Sequence, residues 1–155
     1  MKIRKVKLNN RKRAFVVNTW SQSYEFPFTK ADPSPTKSNS VATFYIDEEL
    51  GREGFTFVLE DGAEGSVHIE QVLEYNQDPR YMRDLLLYKL TGEAQKRVDS
   101  CGLSKREIIR RLGTSPAQFY RLLDSTNYKK SIDKVLYLLH VLDCEVELIV
   151  KDKSA

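Results

Sequence analysis

Three side chains in the second half of the chain could read the edges of DNA bases. They are Ala117, Gln118 and Arg121, which all fall in the segment 115–124. A guanidinium can donate to guanine O6 and N7, an amide can pair with adenine N6 and N7, and a small apolar group can contact the thymine methyl. At about 100° per residue, Ala117 and Arg121 face away from the apolar side that contains Phe119. This spacing predicts a helix that presents a base-reading face.

Two of these residues also have simpler interpretations. Arg121 could be a solvated surface arginine. Gln118 follows Ser115 at the spacing of a capping box, so its amide could instead bond the start of its own helix. Both interpretations stay open at the level of the sequence.

A second group of side chains could contact phosphates. It consists of lysines, an arginine, a tyrosine and hydroxyls at predicted helix starts, where free backbone N–H groups also favour anions. The residues are Ser104, Lys105, Arg106, Ser115, Tyr120, Lys129, Lys130 and Ser131. Tyr120 could equally pack against a neighbour, and the two adjacent lysines could belong to a merely solvated loop.

Helix signals surround these residues. Ser104–Glu107 and Ser115–Gln118 are S-x-x-E and S-x-x-Q runs, and Gly113 lies between the two helices that they open. Two short helices across a tight turn are typical of a helix-turn-helix, although they could also be two capped helices of a bundle. An apolar stripe then predicts a helix over 131–142. Alternating apolar residues predict a strand over 144–150.

The run 103–123 resembles the Cro and phage-repressor (XRE-like) helix-turn-helix family, and the tail 131–150 resembles that of its antitoxin-like members. The shared positions are Leu103, Ser104, Leu112, Gly113, Ser115, an apolar residue at Phe119, and Arg121. Lys105, Ile109 and Tyr120 depart from the family's usual Gln, Ala and Ser. The resemblance, which covers about 60 residues, implies a five-helix, lambda-repressor-like, DNA-binding fold that is usually dimeric and regulates transcription.

The first half of the chain is predicted to form a small, mostly antiparallel sheet. Strand-like runs, rich in β-branched and aromatic residues and separated by turn signals, occur at 2–8, 14–20, 41–46, 55–59 and 66–69. Asp78-Pro79 then opens a helix. We therefore predict an α+β protein with a β-rich domain over 1–77, a connecting helix over 78–90 and the helix-turn-helix domain with its C-terminal strand over 91–151.

Charge is divided unevenly along the chain. Residues 1–13 carry a net +7, residues 14–78 a net −9 and residues 79–155 a net +5. A basic segment suits a polyanion and an acidic one does not. The basic first strand could be a second DNA-contacting surface, or a charged edge strand that resists aggregation, which we favour.

Other classes of function have weaker support. No apolar run is long enough to span a bilayer, the basic N-terminus lacks the apolar stretch of a signal peptide, and Cys101 and Cys144 are too isolated to suggest a disulfide framework or a zinc site. We expect no cofactor, no metal and no catalysis, with His68 only a weak candidate for a catalytic base. The leading hypothesis is a cytoplasmic, homodimeric, sequence-specific DNA-binding regulator of transcription. The alternative is an antitoxin-like interaction protein whose β domain binds a partner protein while the helix-turn-helix autoregulates.

Overall fold

The computed structural model describes residues 1–153 and divides into two compact units, Met1–Met82 and Arg83–Ala155. The first unit contains six strands: β1 (Ile3–Asn9), β2 (Ala14–Thr19), β3 (Ser23–Pro27), β4 (Val41–Ile46), β5 (Gly54–Leu59) and β6 (Glu64–His68). The helices are α1 (Ile69–Tyr75), α2 (Pro79–Ser100), α3 (Lys105–Leu112), α4 (Pro116–Leu123) and α5 (Ile132–Val141). The α+β class predicted from the sequence is confirmed.

The strands of the first unit form two antiparallel three-stranded sheets, β1-β2-β3 and β4-β5-β6. Their shared core is aromatic: the ring of Phe15 lies 4.9 Å from those of Phe28 and Phe55 and 5.2 Å from that of Phe57, centroid to centroid. These side chains are at most 3% exposed. Phe55 and Phe57 share a face because alternate residues of a strand point to the same side, and Phe28 lies in a 3-10 turn directly after β3.

Two elements of this unit were missed at the level of the sequence. One is β3, a five-residue strand that buries Tyr24 and Phe26 and ends on a proline. The other is α1, which begins at Ile69, where the sequence predicted the end of a strand. His68 caps this helix: its Nδ1 accepts a hydrogen bond from the Glu70 N–H at 3.2 Å.

Gly65 in β6 is a position where the sheet tolerates no side chain. A Cβ there would lie 2.4 Å from the Asp32 carbonyl oxygen and 2.6 Å from the ring of Phe57. Glycine is therefore required by the close approach of a neighbouring backbone.

Helix α2 continues without a break through the predicted boundary at residues 90 and 91. Asp78 caps its start by accepting from the Tyr81 N–H at 3.1 Å. Thr91 is fully buried inside it, and its hydroxyl donates to the Leu87 carbonyl at 2.7 Å. Four helices (the rest of α2 and α3 to α5) therefore occur between Arg83 and Lys153, not the five that the family resemblance implies.

The predicted helices over 104–113, 115–124 and 131–142 are confirmed as α3, α4 and α5. They pack on α2 around a core that is almost completely excluded from solvent, with buried apolar side chains from every helix: Ala94, Val98, Ile108, Phe119, Leu122, Val135, Leu138, Leu139 and Leu142. This core fixes which face of each helix points outward.

The predicted strand over 144–150 is wrong for the single chain. Residues 144–150 have no regular secondary structure, and Leu148, Ile149 and Val150 are 79–86% exposed. A strand needs a neighbouring strand for its hydrogen bonds, and both sheets of the described residues belong to the first unit. Among those residues there is also no helix long and apolar enough to cross a membrane.

Candidate nucleic-acid interface

A serine caps the start of each of the two helices α3 and α4, and a glycine ends the first of them. The Ser104 hydroxyl accepts from the Glu107 N–H at 3.1 Å, and the Ser115 hydroxyl accepts from the Gln118 N–H at 3.2 Å. Gly113 ends α3 with φ of 65°, a left-handed conformation that glycine adopts without strain. Pro116 then starts α4 at a position where a missing N–H costs nothing. The two helices are thus joined by a turn of only three residues.

Helix α4 has one buried face and one exposed face. Phe119 is fully buried and Leu122 is nearly so. Ala117, Gln118 and Arg121 are all exposed, so the three residues predicted to read bases lie together on the surface of one helix.

Each capping box forms only one of its two hydrogen bonds, which leaves the Gln118 side chain without a partner in its own helix. Both serines accept from the N–H three residues on, but neither Glu107 nor Gln118 returns a side-chain hydrogen bond to its N-cap. Among residues 1–153, the Gln118 amide and the Arg121 guanidinium have no hydrogen-bond partner. Both groups therefore keep their full capacity to bond a ligand.

Glu107 uses its carboxylate on its own helix instead. It accepts from Arg110 at 2.6 and 3.0 Å and from Arg111 at 3.0 Å. These hydrogen bonds lower the pKa of Glu107 to about 2, so it is ionised at neutral pH. Arg110 and Arg111, which add to the local positive charge in the sequence, are consequently paired within α3.

Three of the predicted phosphate contacts lie exposed on α3 and α4. Lys105 and Arg106 occupy the first turn of α3, and Tyr120 on α4 is 53% exposed. The Lys105 ammonium lies 5.9 Å from the centre of the Tyr120 ring, and that ring also packs edge-on against Phe119 at 5.4 Å. The two interpretations of Tyr120 are thus compatible, because its ring packs against Phe119 although about half of the residue is exposed.

A groove of about 760 Å³ lies beside the exposed face of α4. Its walls come from α4, the loop 124–131 and the start of α5. Polar and charged lining residues include Gln118, Arg121, Asn127, Lys129, Ser131, Asp133 and Lys134. The groove joins base-reading candidates to phosphate-contact candidates on one continuous surface.

Lys130 must be removed from the phosphate contacts predicted from the sequence. Its side chain is only 7% exposed, and its ammonium donates to the Leu122 carbonyl at 3.0 Å and to the Asp124 carbonyl at 2.7 Å. Burial lowers the pKa of this lysine. The ammonium binds the carbonyl end of α4, where a cation is favoured by the helix dipole, and so fixes the loop.

Lys129 and Ser131, on either side of this lysine, are exposed. The Lys129 N–H donates to the Asn127 side chain at 3.1 Å, which fixes the loop backbone while its own side chain extends outward. Ser131 begins α5 without a capping hydrogen bond from its side chain. Sequence reasoning overlooked Lys134, which also lines the groove. Its place at the first turn of α5 beside Ser131 is the signal that could have identified it.

The residues considered for other chemistry lie elsewhere. His68 is engaged in capping α1, and His140 stacks on Tyr137 at 6.3 Å on α5. Over residues 1–153, no group of three or more His, Cys, Asp or Glu side chains is arranged to hold a metal ion.

No protein-family model, curated protein or solved structure matches this chain at a significant level.

Proposed function

We propose that this protein binds double-stranded DNA sequence-specifically through α4 and thereby regulates transcription. One observation carries the proposal: Gln118 and Arg121 are exposed beside Ala117 on α4, whose start is capped by Ser115. Within residues 1–153, the side chains of Gln118 and Arg121 form no hydrogen bond or ion pair. An α-helix fits the major groove, where these three side chains can distinguish adenine, guanine and thymine.

Affinity in this proposal comes from the surface around α4. Lys105, Arg106 and Lys129 supply exposed cations, and counterion release from phosphates is the main source of non-sequence-specific affinity. The hydroxyls of Ser104 and Ser115 accept from helix N–H groups and keep their own O–H free to donate to a phosphate.

Selection of bound sequences from a random duplex pool tests the proposal directly. The full chain should enrich one motif, and Arg121→Ala should weaken binding to it by about 1–3 kcal/mol while affecting random DNA less. Arg97→Ala is the matched control, because it removes the same charge from an exposed position on α2. Failure to enrich any motif, or equal losses for both variants, would refute the base-reading role of α4.

We also propose that the protein acts as a homodimer. A single reading helix covers few base pairs, whereas two copies can place their helices about 34 Å apart on a near-palindromic site. The segment 144–150 supports this idea. Its residues 145–150 make no backbone hydrogen bond to any residue among 1–153, while Val146, Leu148 and Val150 alternate with Glu145, Glu147 and Ile149. The same segment of a second copy would supply the missing strand.

A charge-insertion pair tests this interface by sedimentation. Leu148→Lys puts a charge on the apolar face of the paired strand and should shift the protein towards monomer. Glu147→Lys introduces the same residue one position away, on the opposite face, and should leave the dimer in place. A wild-type protein that sediments as a monomer both free and on its DNA site excludes the dimer.

The helix-turn-helix over 104–123, with a serine N-cap on each helix, supports membership of the Cro and phage-repressor type, although the unit has four helices and not five. A regulator of transcription works where the chromosome is, which in a bacterial cell would be the cytoplasm. Binding, and not catalysis, is the proposed activity, since His68 is engaged in capping α1.

A further inference from the structure

The first unit carries an exposed tryptophan within a basic surface, and the functions proposed above give this residue no role. Trp20 is the only tryptophan of the chain, and 78% of its surface is exposed. A single exposed apolar side chain is common on protein surfaces, but tryptophan is enriched at interfaces, so the groups around this ring decide whether it marks a binding surface.

The turn that bears Trp20 is held by a compact set of hydrogen bonds. The Thr19 hydroxyl accepts from the N–H groups of Ser21 at 3.3 Å and Gln22 at 3.1 Å, and it lies 3.0 Å from the Gln22 carbonyl, to which it donates. The Thr19 N–H donates to the same carbonyl at 2.8 Å. The backbone of the turn that carries the ring is thereby fixed before any ligand binds, which reduces the loss of conformational entropy on binding.

Positive charge surrounds this ring because of an irregularity in β1. The pairing of β1 with β2 shifts between Ile3 and Lys5, so Arg4 and Lys5 are both exposed where strict alternation would expose one. The Arg4 guanidinium lies 5.3 Å from the centre of the Trp20 ring. Lys7 is exposed two residues further along the strand.

These residues line a shallow groove of about 410 Å³ that contains no acidic side chain. Its remaining lining residues are polar: Asn18, Thr19, Ser21 and Gln22. The nearby acid on β3, Glu25, is paired with Lys12 at 2.6 Å. The groove therefore combines three cations, one aromatic ring and several hydrogen-bonding groups.

We infer that this surface, which we call the Trp20 groove, binds single-stranded nucleic acid, with one unpaired base stacked on the indole and the adjacent phosphates on Arg4, Lys5 and Lys7. Stacking platforms flanked by cations are the means by which proteins hold single strands. The hydroxyl and amide groups of the groove match the polar edges of a base. A site for a lipid surface would instead expose several apolar side chains, and a site for an acidic peptide would require cations but no aromatic ring. This inference stands independently of duplex binding through α4.

The single tryptophan provides the assay. Fluorescence of the full chain is followed while an oligothymidylate of about 12 nucleotides is added at low salt, a length within the range that small binding folds cover. The base should quench Trp20. An abasic strand with the same number of phosphates should bind more weakly and quench less, and a duplex should quench little because its bases are already stacked.

Variants then separate stacking from charge, with binding followed through a label on the oligonucleotide. Trp20→Ala should weaken binding about 5- to 150-fold, the effect of losing one stacked base, and Trp20→Phe should recover part of it. Tyr45→Ala is the control, since it removes another exposed aromatic ring, which lies on β4 and is 51% exposed, and it should change nothing. The double variant Arg4→Ala, Lys5→Ala should reduce the salt dependence by about 1.4 in the log–log slope.

Several results would overturn the inference. Unchanged Trp20 fluorescence on adding the oligothymidylate excludes stacking, and equal affinity for the abasic strand reduces the surface to a general polyanion site. Binding only to vesicles that contain anionic phospholipid, with a blue shift of the emission, assigns it to a membrane surface instead. By contrast, an Arg121→Ala protein that loses duplex binding but keeps the quenching supports the inference, because it shows that the two sites are separate.

Discussion

The same substitution at two adjacent lysines should have different effects, one on stability and the other on DNA binding. Lys129→Met and Lys130→Met each remove one ammonium and keep most of the aliphatic stem. Lys129 is exposed and its side chain bonds no described residue, whereas Lys130 is buried against the end of α4. The pair therefore separates a role in binding from a role in stability within one dipeptide.

The size of the stability effect follows from two hydrogen bonds. The Lys130 ammonium donates to the Leu122 and Asp124 carbonyls, and a hydrogen bond from a charged donor contributes about 1.5–3 kcal/mol. Against this gain stands the cost of burying the ammonium, which is also why its pKa is lowered. The free energy of unfolding should therefore fall by about 2–4 kcal/mol in Lys130→Met, and by less than about 0.5 kcal/mol in Lys129→Met.

Urea denaturation followed by far-UV circular dichroism measures the first effect, because the helical signal comes mainly from α2 to α5. DNA binding at several salt concentrations measures the second: Lys129→Met should reduce the log–log salt slope by about 0.9 per chain if it contacts one phosphate. Equal stability of the two variants would refute the capping role of Lys130. An unchanged salt slope in Lys129→Met would remove that lysine from the interface.

Three other perturbations test the structure. Gly65→Ala should destabilise the first unit by about 1–3 kcal/mol, because its Cβ meets backbone and ring atoms closer than 3 Å. Gly92→Ala, in open space on α2, should instead stabilise by up to about 1 kcal/mol, and urea denaturation compares the two variants. Burial raises the pKa of Tyr24 to about 12. The free energy of unfolding should therefore fall by about 2–3 kcal/mol as the pH rises from 10 towards 12, because the folded state disfavours the phenolate. Tyr24→Phe should reduce this fall. Ser115→Ala should cost about 1 kcal/mol by loss of an N-cap, and Ser131→Ala, which removes no capping bond, clearly less, as thermal unfolding can show.

The parts of the fold that follow from local chemistry were predictable. The three helices after residue 103 begin at serines and have one apolar face each, and these signals depend only on neighbours along the chain. By contrast, β3 is short and ends in Pro27, so its strand character depends on pairing with β2, which the sequence does not display. The segment 144–150 shows the reverse case, since a clear alternating pattern forms no strand without a partner.

The candidate site was predictable as a region but not in its detail. Which of Lys129 and Lys130 points inward is decided by the loop, where the Asn127 side chain accepts from the Lys129 N–H. Sequence spacing was also compatible with two roles for Gln118, capping and binding. Only the three-dimensional arrangement shows that Ser115 caps α4 without a hydrogen bond from the Gln118 side chain. In both cases the decisive fact is one side-chain direction, which residue type does not determine.

Counting cations in the sequence therefore overstates the charge available to DNA. Residues 104–134 contain eight lysines and arginines, but Arg110 and Arg111 are paired with Glu107, and Lys130 is buried. The cations that are exposed and not in an ion pair with another described residue are Lys105, Arg106, Arg121, Lys129 and Lys134. At about 0.9 per neutralised phosphate, their upper limit for the log–log salt slope is about 4.5 per chain, against about 7 if all eight took part. A slope near the larger value would mean that the Glu107 ion pairs open on DNA and Lys130 leaves its carbonyls, and the static assignment of roles given above would then be wrong.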